Sequence, residues 1–208
     1  MPARPSSPSL HRALSRYLLG EARNNAWADH RLLRACAALS QAEFEDTTRT
    51  GFFPGIRATL NHNLTVQRFY LDALWRDWRG EPPHPAIGTF FDPEEPYAGC
   101  AALWQAQRDS NASLVAYCAG LTDDVLDAVV VIDRGDTMQR DTRQRLLAHL
   151  FQHQIHHRGQ VHAMLAGTSV APPQLDEFYS SGEAGLRAQD FAELGWTEEQ
   201  VWGRQETR

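Results

Sequence analysis

Residues 148 to 165 read AHLFQHQIHHRGQVHAML and hold five of the chain's nine histidines: His149, His153, His156, His157 and His162. Imidazole binds metals when neutral and exchanges protons near neutral pH. This concentration therefore allows three readings: a metal site, a catalytic base with helpers, or a polar seam in a helical core. On a helix turning about 100° per residue, His149, His153, His156, His157 and Gln160 fall within one arc about 100° wide. His153 and His157 are i,i+4 neighbours, the spacing that lets two imidazoles converge on one ion. Arg158 and His162 lie on the other side, at about 180° and 220° from His149. A salt bridge or an interface is expected for Arg158, and no share in the ion for His162.

Two ligands do not close a site, so a third must come from another helix. His62, in TLNHNLTVQRF, is the best candidate, because its helical face continues through the apolar Val66, Phe69 and Ala73. His11 near the N-terminus, His30 among charges and His84 in a proline-rich loop fit less well. Three neutral imidazoles plus an open position describe a catalytic metal site. The ion there lowers the pKa of bound water or thiol and makes a nucleophile at neutral pH. The plainer readings stand beside this one: His153 and His157 as a metal-free polar seam, and His62 as a satisfied buried histidine. His149 and His156 are expected to line the pocket or support the ligands, since three nitrogens and a water already fill four positions. Gln160 either orients a ligand imidazole or is an ordinary helix residue. Gly159 costs about 1 kcal/mol inside a helix, which predicts close approach by a neighbouring helix.

The elements that must position these residues are helical. Apolar spacing predicts helices from Leu10 to about Leu39, from Ile56 to Trp78, from Tyr97 to near Gly120, and from Thr142 to Leu165. The segment 80–96 carries five prolines and reads as a loop. VLDAVVVIDRGD is β-branched and short, an extended excursion or one arm of a hairpin. A short terminal helix is expected around LRAQDFAELGWTEEQVWG. Four helices of this length are the inventory of an all-α four-helix bundle, a fold that builds metal and ligand sites from side chains facing inward.

Composition narrows the function. The 208 residues carry a net charge of −6 with scattered arginines, which argues against a nucleic-acid partner. Three well-separated cysteines, Cys36, Cys100 and Cys118, contain no CxxC pair, so neither a disulfide framework nor a thiolate zinc site is expected. No apolar run approaches the roughly 18 residues of a membrane span, and MPARPSSPSL lacks the apolar centre of a secretory signal. A soluble, cytoplasmic protein with no membrane partner is expected.

HLFQHQIHHRGQVHAML closely resembles the histidine-rich last helix of the DinB-like (YfiT-like) family of metal-dependent enzymes. NNAWADHRLLRACAALS is similar to that family's first helix, and FFPGIRATLNHNLTVQRFYLDAL to its second. The resemblance implies an up-down-down-up four-helix bundle, often a homodimer, with a divalent metal, zinc or nickel, held by three histidines. Carried over by motif, the ligands are His62, His153 and His157. One position departs from the pattern: many relatives carry Asp five residues after the second-helix histidine, where this chain has Gln67. The implied organisation is a disordered lead at residues 1–9, the bundle at 10–166, and a C-terminal extension at 167–208 packed on it.

The family implies no single reaction. No carboxylate is convincingly placed beside the histidines to serve as a general base; one would have to come from loops such as FDPEEP or LDEF. The balance tips toward a small-molecule substrate and a low-molecular-weight thiol, activated for S-transfer or isomerisation. Metal-dependent hydrolysis is the alternative, and a non-catalytic metal or small-ligand binding protein the second. Trp75, Trp78, Trp104 and Tyr70 either line an apolar pocket or belong to the core.

Overall fold

The computed structural model describes residues 12–49 and 51–203; the expected N-terminal lead and His11 lie outside the described residues. The chain is mostly helical. Helix α1 (Ala13–Ala37) is followed by a short α2 (Gln41–Glu45), then α3 (Ile56–Trp78) and α4 (Cys100–Ala119). Strands β1 (Val129–Asp133) and β2 (Met138–Thr142) precede α5 (Arg143–Leu165), and α6 (Ala184–Leu194) and α7 (Glu198–Trp202) follow. The long helix α1 packs on α4 and α5, and α3 packs on the same two. Among the described residues no helix is long and apolar enough to cross a membrane.

Of the two readings of VLDAVVVIDRGD, the hairpin arm holds: β1 and β2 pair antiparallel from Val129↔Thr142 to Asp133↔Met138. Val130 and Ile132 bury their side chains in the main core, while the Thr142 hydroxyl caps α5 by accepting from the Arg145 amide. Helix α2 was not anticipated, although Ser40 and Glu43 form a reciprocal capping box there. The single terminal helix is two. Gly195 adopts φ 73° and closes α6 in the left-handed region, and Thr197 with Gln200 starts α7 through its own capping box.

Apolar residues form two clusters along the long helices. One gathers Leu18, Phe69, Leu74, Leu114, Leu147 and Leu150; the other gathers Leu32, Ile56, Leu60, Leu103, Val161 and Leu165. Between them in sequence, on every long helix, stand buried polar residues: Asn25 and Asp29 on α1, Gln67 on α3, Gln107, Ser110 and Asn111 on α4, and Arg158 on α5. The Arg158 guanidinium donates to the Asn25 carbonyl oxygen and, at 3.1 Å, to the Asp29 carboxylate. Asn25 and Asn111 amides donate to the other Asp29 oxygen at 3.2 and 3.0 Å. Gln67 donates to Ser110 and Asn111, both at 2.9 Å. Burial pushes the Asp29 carboxyl above its ordinary range, and Arg158 and Asn111 pull it back.

Beyond α5 the chain returns to α1. Arg31 donates to Asp190 and to Glu177, each at 2.5 Å, and stacks 4.5 Å over Trp27. Trp27 in turn packs with Phe178, Phe191 and Val201 in a third apolar cluster.

The Asp29–Arg158 pair gives a direct stability test. Removing one member of a buried pair leaves the other charge unpaired and costs about 3–5 kcal/mol, whereas replacing both with apolar side chains is far cheaper. Asp29→Ala is expected to lower unfolding free energy in urea by about that amount, and Asp29→Leu with Arg158→Met to recover most of it. Equal losses for the single and double variants would show that the pair has no such weight.

Candidate metal centre

The structure brings His62, His153 and His157 together. Helix α3 supplies His62 near its start, after Pro54 and the α3 N-cap Gly55. A Cβ on Gly55 would lie 2.2 Å from the Asp46 backbone oxygen, so glycine is what lets the loop close against its own beginning. Helix α5 supplies His153 and His157 on consecutive turns of one face. The Nε2 atoms of His62 and His153 are 3.1 Å apart, and one ligand nitrogen from each of the three rings lies within 4.8 Å of the others. The ring centroids of His62 lie 5.0 and 4.8 Å from those of His153 and His157.

This donor set fits a divalent ion. With zinc–nitrogen bonds of about 2.0–2.1 Å, neighbouring ligand nitrogens in a tetrahedral site are about 3.3 Å apart, close to the His62–His153 separation. His157 Nδ1–H donates to Gln160 Oε1 at 2.8 Å, which leaves Nε2 with its lone pair free for a ligand bond. The Gln160 amide donates onward to His156 Nε2 at 3.1 Å. His153 Nδ1 is buried without a hydrogen-bond partner.

The three rings are held neutral. Burial, with His157 nearby, lowers the His62 pKa to about 4. Burial and the surrounding imidazoles, His157 foremost, lower His153 to about 3. His157 is also lowered by burial, with the Gln160 hydrogen bond opposing.

The other sequence candidates lie around this trio. His149 is exposed, its ring 6.3 Å from that of His153 and 5.3 Å from that of Tyr70. His156 is exposed as well, at 4.9 Å from His157. His162 faces away and bonds the Pro173 carbonyl at 2.9 Å, and Arg158 forms the expected salt bridge. Gly159 is a correction: a Cβ there would meet nothing within 4 Å, so no neighbouring helix approaches it. No described carboxylate groups with the trio; of the expected sources of a base, Glu95 pairs with Arg57 and Glu177 with Arg31. Tyr70 is buried in the core, Trp75 packs against it, and Trp78 is 42% exposed.

Sequence reasoning missed Phe53. Its ring lies 4.4 Å from His62 and 5.6 Å from His157, covering two of the three imidazoles, while Phe52 beside it is 80% exposed. The aromatic pair directly before the α3 start was the available signal. Also missed was a cavity of about 540 Å³ bordered by Thr48, Arg49, Gly51, Gln160 and Met164. Asp46 borders it too, and Arg49 donates to Asp46 at 3.1 Å and to the Glu43 carbonyl at 3.3 Å, with its Nε buried and unpartnered. A second acid–imidazole group, His30 with Asp190 and Glu193, is already occupied by cations: Arg31 and Arg34 bond Asp190, and Arg34 bonds Glu193.

The lowered histidine values set a pH window. The unfolded imidazole sits at 6.5, above the folded values of about 4 for His62 and about 3 for His153. Between those limits the unfolded chain binds more protons. The metal-free protein is therefore fully stable above pH 6.5 as far as these groups go, and loses stability as pH falls through the folded values. The melting temperature of metal-free protein should drop steadily from pH 7 to 4, and His153→Leu should flatten that drop. An unchanged slope in the variant would contradict the assignment.

A model described as the DinB family matches residues 17–187, a span that contains most of α1, all of α3, α4 and α5, and all three clustered histidines. No curated protein matches the chain at a significant level. With more than half of its length matched, the chain belongs to the DinB family.

Proposed function

We propose that the chain is a metal-dependent enzyme whose His62, His153 and His157 hold a divalent ion, zinc or nickel, beside a site for a low-molecular-weight thiol. The observation that carries this reading is three neutral imidazoles from two helices, close enough to share one ion, with His157 oriented by Gln160. An ion so held lowers the pKa of a bound thiol or water and supplies a nucleophile at neutral pH.

The protein's own groups divide the remaining work. Gln160 fixes the His157 tautomer. Phe53 shields His62 and His157 from water and presents an apolar face to a substrate. Arg49, in the cavity that Gln160 also borders, is paired at 3.1 Å with Asp46 of the same cavity; a carboxylate on the thiol or substrate would take the place of Asp46 at that guanidinium. Such an exchange favours thiol transfer or isomerisation over hydrolysis, as does the lack of any described carboxylate grouped with the three imidazoles.

The architecture we assign is the up-down-down-up bundle. Contacts between helix ends support it. Asp123, just after α4, accepts from the Ser15 amide at the start of α1, 2.7 Å away, as expected for antiparallel neighbours. Asp77 at the end of α3 pairs with Arg143 at the start of α5, again antiparallel. Asn61 and Tyr97, near the starts of α3 and α4, exchange hydrogen bonds, as parallel helices do. We further assign residues 167–208 to an extension packed on the bundle, a homodimeric state, a small-molecule substrate and a cytoplasmic location.

The test is metal content after purification without chelator and reconstitution with zinc or nickel. Wild type should carry stoichiometric metal, and His62→Ala, His153→Ala and His157→Ala should not. Gln160→Ala should bind about 10–100-fold more weakly, the usual effect of losing a ligand-orienting group. Wild type without stoichiometric metal would sink the proposal. Activity on thiol–electrophile pairs, set against esters and amides, then selects the reaction; turnover of the latter alone would replace thiol transfer with hydrolysis.

A further inference from the structure

The α3 face that carries His62 continues through Val66 to Phe69, two turns or about 10 Å along the helix. Arg134 stands at the far end of this row, in the turn between β1 and β2. Its guanidinium lies 4.5 Å over the Phe69 ring. It donates to the Tyr70 hydroxyl at 3.3 Å and to Gln139 Oε1 at 2.8 Å. Gln139 pairs with Ile132, whose side chain is in the core, and residues opposite one another share a face of the sheet. Arg134 is thus held on the side of the hairpin that meets the helices. Beyond Tyr70 comes His149, at 5.3 Å between ring centroids, and then the ligand candidate His153, at 6.3 Å from His149.

Every group that holds this guanidinium is neutral. The carboxylates around it are engaged elsewhere or stand apart. Asp141 takes Arg145 at 3.2 Å and the Gln139 amide at 2.8 Å. Asp72 takes Arg76 at 2.8 Å, and Asp133 accepts from the Gly135 amide at 2.8 Å. Asp136 is exposed at the hairpin tip, and among the described residues no carboxylate pairs with Arg134. The other arginine of the hairpin, Arg140, pairs with Val131 and so lies on the opposite face. Arg134 therefore has a fixed position without a counter-charge, although its planar fork matches a carboxylate.

We infer that Arg134 is a specificity-determining residue of the histidine centre, receiving a substrate carboxylate about 10 Å from the group held at His62, His153 and His157. This rests on the metal-dependent reading above and narrows its substrate to an anionic molecule, with the carboxylate at one end and the reacting group at the other. The chain between them lies along Val66 and His149.

Calorimetric titration of zinc-loaded protein with succinate, glutarate, adipate and suberate tests it, each beside the monocarboxylate of the same length. In wild type at least one dicarboxylate should bind about tenfold more tightly than its monocarboxylate, the second carboxylate having reached Arg134. Arg134→Gln changes an exposed turn residue; it should melt near the wild-type temperature and cut that gain to below about threefold. Arg134→Lys, which keeps the charge and loses the fork, should fall between. His153→Ala should show no gain, because the first carboxylate loses its anchor. Zinc content is read first: protein without zinc sinks the histidine reading and this one together. Equal or undetectable affinities in zinc-loaded wild type, or a gain that survives Arg134→Gln or His153→Ala, overturn this proposal alone. So does a gain that is lost in Arg49→Gln and kept in Arg134→Gln, which would move the carboxylate to the other end of the centre.

Discussion

A guanidinium cannot be taken out of water unless its charge and its donors are met, and Arg158 is 5% exposed. Its partners, Asn25 and Asp29, are on α1, so α5 must turn this residue toward α1. Residues one step apart on a helix point about 100° apart. With Arg158 turned to α1, His157 is carried round to the flank that meets α3, and His153, one turn earlier, goes with it. The histidine centre is in this sense a consequence of where a neighbouring charge is buried. Gln67 completes the arrangement from α3. Its neutral amide both donates to Ser110 and Asn111 and accepts from Asn25 and Gln107. A carboxylate at this position could only accept and would put a second negative charge beside Asp29; the amide suits a belt that already holds one carboxylate and one guanidinium.

The same burial that makes the belt costly makes the centre usable. Imidazoles that are shielded by Phe53 and crowd one another cannot all carry protons, and the values of about 4 for His62 and about 3 for His153 express that. Metal ligation needs the unprotonated ring. The rings thus remain competent well below the pH at which a free histidine would be mostly charged. Shielding is partial: His149 and His156 at the edge of the group are exposed, and Phe52 projects into solvent. The imidazoles thus sit inside an apolar collar with a wet rim.

Much of this was legible in the sequence because the signals were local. The bounds of α3 followed from apolar spacing and the proline-rich segment 80–96, and the convergence of His153 with His157 from a four-residue spacing. His62 was reachable because one imidazole on an otherwise apolar helical face is conspicuous. What stayed hidden depends on contacts between distant segments. Gly159 seemed to announce a close helix, yet open space surrounds it; a glycine's purpose depends on neighbours that its own sequence does not name. The partners of Arg158, 133 and 129 residues away, left no local mark. Phe53 covers the site only because the loop folds back at Gly55. The break at Gly195 was misread for another reason: helical apolar spacing continued on both sides and concealed the left-handed residue between.

The position of the belt along the helices also has a consequence for the centre. The two apolar clusters that flank it are built largely of leucine, isoleucine and valine, and such surfaces tolerate alternative packings without a sharp penalty. They would do little to resist one helix slipping past another by a turn, about 5.4 Å. The belt resists strongly, since a slip would separate Asp29 from Arg158 and strand several amides at once. The histidine centre is as sensitive as the belt: His62 stands on a different helix from His153 and His157, and a slip of that size would destroy the 3.1 Å approach of His62 to His153. Replacing such a polar layer with apolar residues often costs no stability. What it supplies here is register, and three imidazoles drawn together from two helices require register more than they require additional stability.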